Sequence, residues 1–177
     1  MADLDSARIE VLSGADYRAA IPELAALLVD AVDGGASVNF LAGLDLATAA
    51  DWWEARAEAV DAGTVTLVVA FDNAQLIGSV LLIRSTNPNS PHRAEIGKVI
   101  VHRSARRRGV GAELMAAAEA MARTEGRWLL ILDTETGSAA EAFYRSLGWQ
   151  ETGTVPDYAL LTDGTPAAAT FFWKILR

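Results

Sequence analysis

The stretch Val99-Ile100-Val101-His102-Arg103-Ser104-Ala105-Arg106-Arg107-Arg108-Gly109-Val110-Gly111-Ala112 constrains this chain more than any other. A short β-branched run ends in a basic turn. Two glycines follow, and the apolar periodicity then predicts a helix starting at Ala112 or just before it. A strand is therefore fed into a helix N-terminus through a glycine-bearing loop. The first amides of a helix lack intrahelical acceptors and sit at the positive end of its dipole, so such a loop suits a phosphate. A side chain at Gly109 or Gly111 would hold the phosphate away from those amides.

The spacing narrows the ligand. A dinucleotide fingerprint needs a third glycine where Leu114 stands, and a Walker loop needs Lys then Ser or Thr where Ala112 and Glu113 stand. What remains is Arg106-Arg107-Arg108-Gly109-Val110-Gly111, an R-x-x-G-x-G pattern. On its own the hexamer also reads as a basic turn capping an ordinary helix. Arg103, Arg106, Arg107 and Arg108 nevertheless place four of the 15 basic residues in one short span, beside the glycines. They are expected to form a local anion clamp for a small phosphorylated ligand.

The net charge of −8 argues against nucleic acid, whose binders are normally basic. The chain has 177 residues, which suits one domain spanning 1–177. No apolar run is long enough for a bilayer and the start is acidic, so no membrane association and a cytoplasmic location are expected. Without cysteine, thiol nucleophiles and thiolate metal sites are excluded. With only His92 and His102, no metal is expected.

Periodicity predicts strands at 7–11, 64–71, 75–85, 94–101, 128–132, 150–161 (bent at Pro156) and 168–176. Helices are predicted at 16–33, with Pro22 in the first turn, at 46–62, from the phosphate loop to about 124, and after a capping box at Ser138-Ala139-Ala140-Glu141. The order is mixed α/β, with hairpins and one βαβ unit.

The hexamer resembles the coenzyme A pyrophosphate loop of the GNAT superfamily of N-acetyltransferases. Two further segments resemble the same family, in the same order. Arg93-Ala94-Glu95-Ile96-Gly97-Lys98-Val99 is similar to the strand that carries a catalytic carboxylate, and Ala142-Phe143-Tyr144-Arg145-Ser146-Leu147-Gly148-Trp149 to the signature A-x-x-F/L-Y-x-x-x-G-F/Y/W. Residues 93–173 resemble one branch, the small-molecule acetyltransferases that include the tabtoxin-resistance enzymes. Its L-D-T-x-x-G-S-x-A-E run and its P-x-Y, here Pro156-Asp157-Tyr158, are both present.

The resemblance implies a strongly twisted, seven-stranded mixed sheet flanked by about four helices, its fourth and fifth strands splayed around an acetyl thioester. It implies acetyl-CoA as co-substrate and the amine of a small molecule as acceptor, in a monomer or homodimer. Val99, Ile100 and Val101 would lie along the pantetheine arm. Arg106, Arg107, Arg108, Gly109, Val110, Gly111 and Ala112, with Ser138, would hold the rest of the cofactor. A primary amine is mostly protonated at neutral pH, so a base must act. Glu95 and Asp133 take that role by resemblance, and Tyr144 would protonate the departing thiolate. From the residues alone, Glu95 reads equally as a surface residue paired with Arg93 or Lys98, and Asp133 as a strand-end turn residue. Tyr144 falls one residue off the apolar stripe of Ala140, Phe143 and Leu147, at the edge of the core. The loop at 34–40, with Ser37, Asn39 and Phe40, and Tyr158 would surround the acceptor. Asn39 stands where the branch often has a small residue. Trp52 and Trp53 are expected to pack in the core, and His92 and His102 to sit in surface loops. Two other readings stay open: acetylation of a protein N-terminus or lysine, and a non-catalytic acyl-CoA-binding module.

Overall fold

The computed structural model describes residues 7–177. Its elements are β1 (Arg8–Leu12), α1 (Gly14–Asp33), α2 (Leu46–Glu54), α3 (Ala57–Asp61), β2 (Val65–Asp72), β3 (Gln75–Arg84), β4 (Arg93–Val101), α4 (Val110–Thr124), β5 (Leu129–Glu135), α5 (Ala139–Ser146), β6 (Gln150–Leu160) and β7 (Pro166–Ile175). The strands form one seven-stranded sheet in the order β1-β2-β3-β4-β5-β7-β6. Every neighbouring pair is antiparallel except β4 and β5, which are parallel. That pair matches only Arg93 with Leu129, Ala94 with Leu130 and Glu95 with Ile131, after which the two strands part. The splayed sheet implied by the resemblance is therefore present, and the gap opens immediately beyond Glu95.

Alternation along the strands divides the core between the two sheet faces. Ala94, Ile96, Leu130 and Leu132 pack with Leu114 and Met115 of α4 and Tyr144 of α5. Leu67, Val69 and Leu81 pack on the other face with Leu24 and Leu28 of α1 and Trp53 of α2. Leu24, Leu28 and Leu114 are fully buried. Burying each such side chain contributes roughly 1.5–3 kcal/mol. A bulge interrupts β4, where Lys98 and Val99 oppose Val80 alone and Lys98 takes φ 48°. The extra residue reverses the alternation, as a bulge must. Ile96 thus joins the α4 and α5 face, whereas Ile100 joins the α1 to α3 face.

Three elements depart from the sequence reading. The helix expected at 46–62 is two, α2 and α3, meeting at Ala55 and Arg56. The carbonyls that would continue it are taken by side chains: Tyr17 Oη donates to Trp53 O at 2.7 Å and Arg56 Nη1 to Trp52 O at 2.6 Å. Pro22 lies inside α1 rather than in its first turn, because the helix starts at Gly14. Burial of Tyr17, Ile21 and Leu24 around it outweighs the lost hydrogen bond. The strand expected to end at Leu132 runs on to Glu135, so Asp133 is an in-register strand residue opposite Phe171 of β7. The bend expected in β6 is present as a register break between Val155 and Ala159, with Asp157 at φ 49°.

Candidate active site

One cavity of about 860 Å³ runs through the gap between β4 and β5, a size suited to a small-molecule ligand. Val99, Ile100, Val101, Arg106, Arg107, Gly109, Val110, Gly111, Ala112 and Ser138 line it, so nearly all the expected cofactor residues are brought together. Gly109 caps α4 at φ 88°, a backbone state that only glycine adopts without strain. At Gly111 the constraint is one of space: a Cβ there would lie 3.2 Å from Phe143 Cζ, so that ring would have to shift slightly. Beyond Glu95, β4 has no β5 partner, which leaves an open strand edge along Val99 to Val101. The cap of α5 also forms as expected, with Ser138 Oγ accepting from Glu141 N at 3.2 Å and donating to Glu135 O at 2.7 Å.

The arginine clamp is smaller than expected. Arg108 donates to Asp72 through both terminal nitrogens at 3.0 Å and does not line the cavity. Arg103 is paired with Asp30, Nε to Oδ1 at 2.7 Å. Of the four arginines in this span only Arg106 and Arg107 line the cavity, and Arg106 Nε also donates to Val101 O at 3.2 Å. The other two guanidiniums are held away because carboxylates from distant chain segments reach them first.

Glu95 and Asp133 both line the cavity. In-register pairing of Glu95 with Ile131, two residues before Asp133, puts both carboxylates on one sheet face. That face is the one covered by α1, α2 and α3. Neither carboxylate forms an ion pair among the described residues, including the pairs with Arg93 and Lys98 that the residues alone allowed for Glu95. Desolvation by the cleft walls pushes the Glu95 carboxyl above its ordinary range, and the Asp133 charge adds to this. Desolvation likewise raises Asp133, against the opposing Lys98 charge.

Tyr144 approaches from the opposite face. It is buried rather than at the core edge, in contact with the rings of Phe143, Trp149 and Phe172. It nevertheless lines the cavity. Burial, then the Asp133 charge, push its phenol well above the ordinary value, so it keeps its proton. Of the acceptor-side residues, Ser37, Asn39 and Tyr158 line the cavity, whereas Phe40 does not. Phe40 turns instead onto Trp52, with ring centroids 5.9 Å apart. The loop holding these residues is tied across to the turn between β6 and β7, where Ala42 N donates to Thr162 O at 2.8 Å.

Among the cavity residues that escaped the sequence reading as site residues, Trp52, Arg56 and Lys98 lie together. Trp53 is fully buried as expected, but Trp52 faces the cavity. The Arg56 guanidinium carbon lies 3.1 Å from the Trp52 ring centroid and Lys98 Nζ lies 4.7 Å from it. Burial, then the Arg56 charge, bring the Lys98 ammonium down to about 8, with Asp133 and Glu95 opposing. The i,i+4 spacing of Trp52 and Arg56 was the available signal, since such pairs touch on a helix. His92 stacks on Trp128 at 4.2 Å, and His102 accepts from Ser104 N in the turn before the phosphate loop.

The sequence model for the acetyltransferase (GNAT) family matches residues 39–149. Among solved structures, the chain is similar to a ribosomal-protein-alanine N-acetyltransferase from Brucella melitensis, at 27% identity, with 94% of this chain and 99% of that one covered and a TM-score of 0.75. It is similar to yncA from Salmonella typhimurium, solved with its cofactor acetyl-CoA, at 20% identity over 98% and 95% of the two chains, with a TM-score of 0.76. An N-acetyltransferase from Staphylococcus aureus Mu50 matches at 14% identity over 96% and 99%, with a TM-score of 0.77.

Proposed function

The chain belongs to the acetyltransferase (GNAT) family, and on that premise we propose that it moves the acetyl group of acetyl-CoA to the amine of a small molecule, as in the tabtoxin-resistance branch. The observation that carries this reading is the placement of Glu95 and Asp133 on one sheet face and Tyr144 on the other, with the gap between β4 and β5 joining them. Chemistry at that gap has a base on one side and a proton donor on the other.

The cavity suits acetyl-CoA on this chain's own features. The positive φ of Gly109 presents the first amides of α4, Arg106 and Arg107 add charge, and the open edge of β4 can take an extended arm. Acetyl-CoA supplies an activated acyl thioester. Glu95 takes a proton from the acceptor ammonium, directly or through a water, and Asp133 holds that ammonium by charge. Desolvation raises both carboxyls toward the working range of a base. Tyr144 donates its phenolic proton toward the sulfur end of the cleft. Its neutral form persists over the whole working range, so a donor is always present there.

A second reading draws on the Brucella protein, whose name describes acetylation of a protein alanine. The contact from Ala42 N to Thr162 O weighs against it, because it joins the segment after the 34–40 loop to the turn between β6 and β7 and would narrow the entry of an extended chain. One assay tests both readings: thiol release from acetyl-CoA with a library of small amines and with peptides beginning in alanine. Turnover of small amines in excess of peptides is expected. Peptide turnover alone would replace the proposal, and acetyl-CoA binding with no turnover of any amine would leave a binding module.

A further inference from the structure

Arg56 and Lys98 are both brought against the Trp52 ring, and among the described residues neither has a carboxylate within ion-pair distance. The Arg56 side chain makes one hydrogen bond, to the Trp52 carbonyl, and Arg56 lines the cavity. Bringing two cations together in a partly desolvated pocket is unfavourable, and the lowered Lys98 ammonium records it. The same pocket holds Glu95 and Asp133, also unpaired, with Glu135 further along the β5 face. Four charges that could have neutralised one another are instead kept apart. Elsewhere the chain pairs its charges readily, as in Lys174 with Glu119 at 2.7 Å and Arg103 with Asp30.

We infer that the acceptor is a zwitterion: its amine lies at Glu95 and Asp133, and a carboxylate on the same molecule lies at Arg56 and Lys98. The inference rests on the acetyltransferase reading and deepens it by naming the acceptor class. Arg56 is the main specificity residue. Its guanidinium is planar and always charged, and its carbon is held 3.1 Å from the Trp52 ring centroid beside the cavity, which leaves N–H groups free for a carboxylate. Lys98 adds a second, nearby charge, aimed by the bulge in β4. The phosphates of coenzyme A are not the anion meant for this pair. Arg56 stands at the junction of α2 and α3, on the sheet face opposite α4, whereas the phosphate loop opens at the N-terminus of α4.

The test is a set of matched acceptors, each free L-amino acid assayed beside its carboxamide and its decarboxylated amine, with thiol release as readout. The wild-type chain should favour the carboxylate form by about tenfold or more in kcat/KM. In Arg56→Gln that preference should collapse mainly through KM, and Arg56→Lys should restore part of it. Acetyl-CoA affinity and the circular dichroism spectrum are measured on each variant to exclude misfolding. Equal or better use of the carboxamides and plain amines by the wild type would overturn the zwitterion while leaving the acetyltransferase reading intact. A preference that survives in folded Arg56→Gln would remove Arg56 from the role. No thiol release with any acceptor would overturn both readings.

Discussion

The proposed phosphate loop at 106–112 and the proposed acceptor pocket around Trp52 share one cavity but are made by opposite means. The loop is one consecutive run that works through backbone: Gly109 at φ 88°, the first amides of α4, and only two arginines not drawn into ion pairs with distant carboxylates. The pocket works through side chains and is assembled from α2, the bend at Arg56, β4, β5 and β6. The loop satisfies its charges with few partners; the pocket holds Arg56, Lys98, Glu95 and Asp133 unpaired. Binding a common cofactor needs only a local motif, whereas recognising a particular acceptor needs long-range assembly and stored electrostatic tension.

The largest effect should come from breaking the loop half. Gly109→Glu forces a side chain into a left-handed backbone state and sets a carboxylate at the amides. Strain of roughly 1–2 kcal/mol plus charge repulsion should cut coenzyme A affinity on the order of 100-fold. Isothermal titration with coenzyme A reads this, and unchanged affinity in a folded variant would show that the loop does not hold the pyrophosphate.

Next is Tyr144→Phe, at the junction of the two halves. It should lower kcat by about tenfold to 100-fold while moving coenzyme A affinity by less than about threefold, since the phenol matters only as charge develops on sulfur. Steady-state kinetics beside titration separates the two. A wild-type kcat would mean that another group or a water is the donor.

How far each half could be read from the chain follows from how it is built. Gly109, Gly111 and the capping box at Ser138 are contiguous signals, so the loop and the elements beside it were legible from the residues, whereas the seven-stranded sheet and its splay came only through the family resemblance. The pairings that thin the arginine clamp, Arg103 with Asp30 and Arg108 with Asp72, join residues far apart in sequence and leave no periodic trace. Trp52 and Trp53 are adjacent and about 100° apart on α2, so the sequence does not say which of them turns to the cavity. That is set by how α2 packs on α1 and the sheet, where Trp53 is buried in the core and Trp52 lies at its edge. Lys98 was visible beside Glu95, but the bulge that re-aims it is a tertiary choice.

Glu95→Gln and Asp133→Asn probe the pocket half, each with a loss of about tenfold in rate at neutral pH. In the wild type, activity should fall as acid protonates these raised carboxyls. In the variants the deficit should shrink as pH rises, because more acceptor is already a neutral amine. The residue with the larger recovery is the base, and the other mainly raises the acceptor KM. Profiles that overlay wild type in height and shape would exclude both carboxylates from catalysis.

The smallest effect should be on stability, and it has the opposite sign to the losses above. The Lys98 ammonium titrates near 8 in the fold against roughly 10.4 in an unfolded chain. Below about pH 8 both states carry the proton, so the fold bears the whole penalty of a partly buried cation beside Arg56. Between about 8 and 10.4 the unfolded chain binds more protons than the fold, so stability should rise with pH, and above that range the penalty is gone. Lys98→Met keeps the aliphatic stem but removes the charge. It should therefore raise the melting temperature at pH 7 by a few degrees and flatten the rise between pH 8 and 10. Coenzyme A affinity should not change, because the phosphate loop does not use this charge. Calorimetry across that pH range checks it. A variant less stable than wild type at pH 7 would mean that Lys98 is already satisfied in the fold, and the contrast between a relaxed loop and a strained pocket would fail at this residue.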